Sequence, residues 1–267
     1  MLIKPKSKDA KSKLAACSKL IKARAFSKAL ERPGCKPLWQ TLQVDHITVS
    51  ADFDGAPALP EEGAMTHEYV VELMEAFKAQ KSLHWKYVAQ IVIRVINLAR
   101  RLPSLIRCSL SSGQAAAAAD ADGNGTAVEP HFTICGDTHG QYYDLCNIFE
   151  LNGYPSPSNP YLFNGDFVDR GSFSLENVLT LFCWKLLYPD SVHLLRGNHE
   201  TVNMNKMYGF EGEVRACVRA RAVCHPRQSH PPADGGSASN AFFSCLLAVL
   251  TKSQLHVQEW SCCSWWW

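Results

Sequence analysis

Three short glycine-bounded signatures limit what this chain can fold into more than any other feature. They are Gly136-Asp137-Thr138-His139-Gly140, Gly165-Asp166-Phe167-Val168-Asp169-Arg170-Gly171 and Arg196-Gly197-Asn198-His199-Glu200. Each follows a short apolar run, at 132–135, 161–164 and 192–195. Between them lie helical patterns: Leu145, Ile148, Phe149 and Leu151 after the first, and Val178, Leu179 and Phe182 after the second, with Ser174 as the expected cap. Strand, loop and helix repeated in this order predict an α/β fold with neighbouring parallel strands. In such sheets, sites collect beyond the carboxyl ends of the strands, which is where all three signatures fall.

The residue types in those loops point to metal chemistry. Asp137 and His139 stand two apart, so on an extended loop they face the same side and reach one ion. Asp166, Asn198 and His199 come from two further strand ends. A mixed nitrogen and oxygen donor set suits Mn, Fe or Zn better than Ca. A carboxylate such as Asp166 can bridge two ions, and two ions support in-line attack on phosphorus. Arg170 and Arg196 stand beside these ligands with planar forks that match phosphate oxygens. His199, next to Asn198, can protonate a leaving alkoxide, and Asp169 can orient its ring. One Asp-x-His alone is a weak signal. Three signatures in order, recurring at intervals of about 30 residues and each after a strand, specify a metallophosphoesterase-type site.

The rest of the chain supplies context. Leu14, Cys17, Leu20 and Ile21 recur at helical spacing, so residues 8–31 are expected to form an amphipathic helix ended by Pro33 and Gly34. Gly55, Pro57, Pro60 and Gly63 mark a loop over 50–64. Thr66 is the expected cap of a helix burying Val70, Leu73, Met74 and Phe77. Ser82 is that of another burying Val88, Ile91, Val92, Val95 and Leu98 and closed by Pro103. An alanine run followed by Asp120, Asp122 and Asn124 reads as a solvated low-complexity insertion, since His131 stands where a calcium loop needs its closing Glu. Residues 1–40 carry eleven Lys or Arg against two acidic residues, leaving the remainder at −7 within a total of +2. No aromatic-plus-basic stripe accompanies that basic end, so no nucleic-acid partner is expected. The eleven cysteines form no CxxC pair and suit a reducing compartment. No apolar stretch is long enough for a membrane span, and no membrane partner is expected. We expect a cytoplasmic protein, with the nucleus as a second location.

GDTHG, GDFVDRG and RGNHE resemble the three metal-site motifs of the metallo-dependent serine/threonine protein phosphatases, the phosphoprotein phosphatase family. The flanking text extends the resemblance from about Phe132 to Arg215, and more weakly over 66–106. Residues 8–31 resemble the helix leading out of the tetratricopeptide repeats that one branch of the family carries. The resemblance implies a metallophosphatase-like β sandwich flanked by helices, of which only the first half is present. The organisation is then a helical remnant at 1–34, a linker at 35–65, the N-terminal half of a catalytic domain at 66–215 with an insertion at 111–130, and a divergent tail at 216–267. It also implies that the chain stops short at both ends. Carried onto matching positions, Asp137, His139 and Asp166 would hold the first metal. Asp166 would bridge to a second metal, which Asn198 also binds. His199 would be the general acid oriented by Asp169. Arg170, with Asn198, would bind the substrate phosphate, and Arg196 would support them. The cofactors would be two divalent metal ions, Mn, Fe or Zn, activating a hydroxide.

The same resemblance calls for two further histidines at the second metal, and none of His225, His230 and His256 stands in such a context, so that site is expected to be incomplete. Two readings follow. In the first, the chain hydrolyses phosphoserine and phosphothreonine in phosphoprotein substrates. In the second, it is a catalytically inactive fragment that binds metal or a partner. A nucleotide or nucleic-acid phosphoesterase is a third class, disfavoured by the text around GDFVDRGSFS. Chaperone binding through the repeats is expected to be lost.

Overall fold

The structure is a computed structural model and describes residues 13, 17–22, 44, 47–60, 65–103, 105–108, 131–216, 254–257 and 263–266. The chain divides into two compact units, Met1–Leu42 and Gln43–Trp267. In the first, residue 13 and residues 17–22 are helical, as the Lys-rich amphipathic pattern predicts. The expected apolar stripe is not covered there: Leu20 and Ile21 are exposed. The low-complexity insertion and most of the tail, with His225 and His230, lie outside the described residues.

In the second unit, two amphipathic helices pack against one central helix. Helix α1 (His67–Lys78) starts where expected: Thr66 Oγ1 accepts the Tyr69 N–H at 3.2 Å. Its buried face is Tyr69, Val70, Leu73, Met74 and Phe77, the i, i+4, i+7 stripe read from the sequence. Helix α2 (Trp85–Arg101) is capped by His84, whose Nδ1 accepts the Lys86 N–H at 3.2 Å, rather than by Ser82. Leu98 is only half-buried, and Ile96 and Ala99 complete the packed face with Val88, Ile91, Val92 and Val95. Leu102 turns extended ahead of Pro103, whose ring disfavours a helical predecessor.

The sheet carries the site. Strands β2 (Phe132–Cys135), β3 (Tyr161–Phe163) and β4 (Val192–Leu194) are parallel, in the order β4-β3-β2. Register pairs Thr133, Ile134 and Cys135 with Tyr161, Leu162 and Phe163, and the last three with Val192, His193 and Leu194. Strand β2 spans its whole apolar run, while β3 and β4 stop one residue earlier than theirs, before Asn164 and Leu195. Helix α3 (Tyr142–Asn152) links β2 to β3 and buries Tyr142, Leu145, Cys146 and Phe149. Leu151, expected in that face, is 59% exposed on the far side. Helix α4 (Ser174–Leu187) links β3 to β4 and is buried all round over Leu175 and 177–185, so α1, α2 and α3 all pack against it. Ser174 is its first residue, not its cap. Phe173 occupies that position without a side-chain bond, and the Leu175 N–H is taken by the Glu213 carboxylate at 2.7 Å instead. Helix α5 (Val202–Tyr208) follows β4, with Thr201 Oγ1 capping Met204 N, and after Gly209 residues 210–216 form a further helical turn.

Three more strands complete the picture. Strand β1 (Leu105–Cys108) pairs in parallel with β5 (Gln254–Val257), and β6 (Cys263–Trp266) lies in parallel along the outer edge of β2. The divergent tail therefore supplies strands at these two places. An edge strand presents unpaired N–H and C=O groups, and another strand is the simplest way to satisfy them. His256 sits opposite Arg107 in the β1–β5 pair, on a different sheet from the three signatures.

Candidate active site

The loops leaving β2 and β3 are fastened to each other through backbone, and the loop leaving β4 is tied to the second through the Asp166 and Glu200 side chains. Thr138 and His139 donate their N–H groups to Asp166 O (3.2 and 2.9 Å), Gly140 N–H donates to Phe167 O (2.9 Å), and Gly171 N–H donates to His139 O (2.9 Å). Such proximity leaves no room for side chains. A Cβ on Gly165, which also has φ +100°, would lie 2.2 Å from Gly197 N, and one on Gly171 would lie 2.2 Å from His139 O. The glycines of the second and third signatures are therefore required by contact between loops.

That packing forces unusual backbone on the functional residues. Five non-glycine residues among those described have positive φ, and four are His139 (38°), Asp166 (50°), Asp169 (69°) and Arg170 (68°). Left-handed backbone costs a non-glycine residue about 1 kcal/mol or more and persists where surroundings over-determine it, typically at functional sites.

At one end of the site, Asp137, His139 and Asp166 offer ligand atoms that all lie within 4.8 Å of one another, the one such group of three or more His, Cys, Asp or Glu among the described residues. This is the trio expected for the first metal. His139 Nδ1 is held by Val168 O at 2.9 Å, so Nε2 is the nitrogen turned to the site, 3.7 Å from Asp137 Oδ2. A ligating histidine held from behind by a carbonyl is the usual supporting arrangement for a metal. Asp166 Oδ1 accepts the His199 N–H at 2.7 Å, which fixes the carboxylate and couples the second loop to the third. These donors fit a divalent transition ion. Asn198 is exposed on the third loop, and its carbonyl accepts from Thr201 Oγ1 at 3.3 Å.

At the other end, His199 and Asp169 form a buried pair. His199 Nδ1 donates to Asp169 Oδ2 at 2.9 Å, with the two side chains 1% and 0% exposed. Asp169 also accepts from Asn205 Nδ2 at 3.0 Å and, through Oδ1, from Phe210 N–H at 3.1 Å, so its charge is fully solvated by protein donors. Arg170 Nη2 lies 3.1 Å from His199 Nε2. Arginine only donates and carboxylate only accepts, so the ring stands with Nδ1–H toward Asp169 and Nε2 toward the open side. The His199 ring also meets the His139 ring edge to face, with centroids 4.7 Å apart, and Tyr208 at 5.0 Å. Arg170 is exposed, with its guanidinium 6.0 Å above the Tyr208 ring. Arg196 Nε donates to Glu200 O at 3.3 Å and is exposed beside the cluster.

Sequence reasoning overlooked the groups that work through the backbone. Glu200 is fully buried, and its carboxylate accepts N–H groups from Asp166 (2.9 Å), Phe167 (2.8 Å) and Gly197 (2.7 Å). Burial pushes that carboxyl above its ordinary range, and the three N–H donors hold it back. Asn177 Nδ2 donates to Thr138 Oγ1 (2.8 Å) and Phe167 O (2.7 Å), tying α4 to two loops. Their one sequence signal was Glu200 closing the third signature.

Comparison with known proteins agrees with this geometry. Residues 14–107 match the family described as the PPP5 TPR repeat region, and residues 130–242 match Calcineurin-like phosphoesterase. The described part of the first match includes α1 and α2, which pack on α4 of the phosphoesterase region. Human serine/threonine-protein phosphatase 5 is 48% identical over 220 residues, covering 82% of this chain and 40% of that protein. Serine/threonine-protein phosphatase T of Aspergillus oryzae is 43% identical over 217 residues, covering 81% and 41%. The chain thus spans about two fifths of the length of these relatives. The solved structure of a Saccharomyces cerevisiae serine/threonine phosphatase with similarity to human phosphatase PP5 superposes with a TM-score of 0.52 at 31% identity, covering 72% of this chain and 52% of that one. The chain thus carries a calcineurin-like phosphoesterase region at 130–242, on which the three strand-end loops, the Asp137–His139–Asp166 group and the buried Asp169–His199 pair lie, and it is similar to serine/threonine-protein phosphatases 5 and T over about two fifths of their length.

Proposed function

We propose that the chain is a protein serine/threonine phosphatase, a phosphoric monoester hydrolase acting on phosphoserine and phosphothreonine. The observation that carries this reading is the meeting, at one sheet edge, of the Asp137–His139–Asp166 trio with the buried Asp169–His199 pair. Asp137, His139 and Asp166 would hold one divalent ion, and Asp166 with Asn198 would contribute to a second. When bound, such ions polarise phosphoryl oxygens and acidify water at neutral pH. The chain's own residues do the rest. Arg170 draws the substrate phosphate toward Nε2 of His199. Once Arg170 turns from Nε2 to the phosphate, His199, oriented by Asp169, takes up a proton at Nε2 and gives it to the seryl or threonyl oxygen as that oxygen leaves. Glu200 keeps the second and third loops at fixed spacing throughout. The test is turnover of a phosphopeptide by purified chain with manganese. Release of phosphate that Asp166→Asn abolishes supports the reading, and a folded chain without turnover overturns it.

A second reading is favoured by one observation: among the described residues only a single three-ligand group forms. In that reading the chain binds one ion and does not turn over substrate, and manganese binding with a stoichiometry of one, without phosphate release, would establish it. We place the protein in the cytoplasm and nucleus, where the free thiols of Cys135, Cys146 and Cys183 suit a reducing environment. No helix among the described residues is long and apolar enough to cross a membrane. Binding of a chaperone peptide through the N-terminal region is not expected.

A further inference from the structure

We propose that Asn205 is a positioning residue for the Asp169–His199 pair, a single neutral amide that fixes both members at once. The proposal rests on the phosphatase reading for its kinetic consequences, but its structural basis is separate. Asn205 is 1% exposed on α5. Its Nδ2 donates to Asp169 Oδ2 at 3.0 Å and to the main-chain carbonyl of His199 at 2.8 Å. Both neighbours are acceptors, so the amide can point only one way, and its Oδ1 has no partner among the described residues. An amide that leaves its own oxygen unpaired in the interior is retained for what its nitrogen holds.

Its place explains why one amide matters. Asp169 and Arg170 are consecutive non-glycine residues in left-handed backbone, an arrangement that relaxes unless clamped. Each restraint on that dipeptide from outside its own loop, apart from His199, comes from residues 205–210. These are Asn205 Nδ2 on Asp169 Oδ2, Phe210 N–H on Asp169 Oδ1, and Tyr208 O accepting Arg170 N–H at 3.2 Å. Asn205 is itself placed by the first turn of α5, where its N–H donates to Thr201 O at 3.0 Å. Of these residues, only Asn205 is also hydrogen-bonded to His199, whose ring Tyr208 meets edge to face. It holds the carboxylate and the histidine backbone at a common distance, so the Nδ1–H···Oδ2 bond keeps its direction while Nε2 works. A neutral donor does this without cancelling the charge that orients the imidazole, whereas a lysine there would neutralise it.

The test uses the full chain and four variants. In the wild type, the His199 Nδ1–H gives a downfield, slowly exchanging proton NMR resonance, assigned by its loss in His199→Asn. Asn205→Ala should abolish or broaden that resonance while manganese binding at Asp137, His139 and Asp166 is unchanged. With turnover measured on a phosphopeptide, kcat should fall roughly 10- to 100-fold with KM nearly constant, since orientation of an acid is lost and substrate binding is not. Asn205→Asp keeps the shape but sets a second carboxylate against Asp169, so it should lose more than Asn205→Ala. Asn205→Ser, which keeps one donor, should recover part of the resonance and is read in place of Asn205→Ala if the latter does not fold. The proposal is overturned if the resonance persists unchanged in folded Asn205→Ala or Asn205→Ser, or if Asn205→Asp behaves as wild type. Absence of wild-type turnover would defeat the phosphatase reading alone, because the resonance comparison needs no activity.

Discussion

The two ends of the site are built on opposite plans. The Asp137 side chain is 55% exposed, while Asp169 and His199 are sealed at 0% and 1%. In the proposed reading the open end admits an ion and a substrate, and its candidate donors converge from loops. The sealed end would keep one proton in one direction, and both oxygens of Asp169 accept hydrogen bonds from protein donors. The contrast teaches that the metal end is set by which residues are present, and the acid–base end by what surrounds them.

Substitutions should separate the two ends. The largest effect is expected from Asp166→Asn, which removes a carboxylate ligand from the trio: manganese affinity and phosphate release should both be lost, as read by metal titration and phosphopeptide turnover. Retained manganese binding would break the assignment of the open end. Asp169→Asn comes next. It should leave manganese binding intact and lower kcat by roughly 10²- to 10⁴-fold, the usual contribution of an oriented general acid. Parallel loss of metal would show that the two ends are one unit. Gly197→Ala probes what joins them, since a Cβ there would lie 2.2 Å from Asp166 Oδ1. It should cost about 2–4 kcal/mol of stability by overpacking, measured by urea denaturation, and weaken metal binding with it.

The smallest effect concerns the outer support. Burial lifts the Glu213 carboxyl to about 7, with Glu176 adding to the rise and the Leu175 and Ser174 N–H groups opposing it. The folded chain then binds more protons than the unfolded chain between the ordinary carboxylate range and pH 7. Stability from this group is therefore greatest in acid, declines as pH rises through that window, and is level above it. Glu213→Gln should remove the slope, making the variant more stable than wild type at pH 8 by on the order of 1 kcal/mol and equal to it near pH 4. Denaturation at the two pH values reads the difference, and a variant less stable at pH 8 would show that the charge on Glu213 is itself needed to hold residues 210–216 on α4.

The sequence made the open end and the dyad legible because each ligand is a side chain in a short motif. Asp137, His139, Asp166, Asp169, Arg170 and His199 all stand where the motifs place them. What escaped is non-local. Glu200, Asn177 and Asn205 act on backbone groups of distant loops, and no local spacing marks a residue for that role. The caps illustrate the same point on a smaller scale. Ser174 has the chemistry of a cap, yet it is the first residue of the helix, and the Leu175 N–H beside it is taken by Glu213, far along the chain. Leu151 stands two positions past Phe149, about 200° round the helix, and so faces away from the packed side. The strands of the tail had no readable pairing because the partner of an edge is chosen in three dimensions.

Assembly order follows from the left-handed Asp169–Arg170 step. The residues that hold it, Asn205 to Phe210, come later in the chain than all three signatures. In the proposed reading, every candidate ligand of the trio is present once residue 200 is made, whereas the hydrogen bonds that hold Asp169 beside His199 need residues 205 and 210 as well.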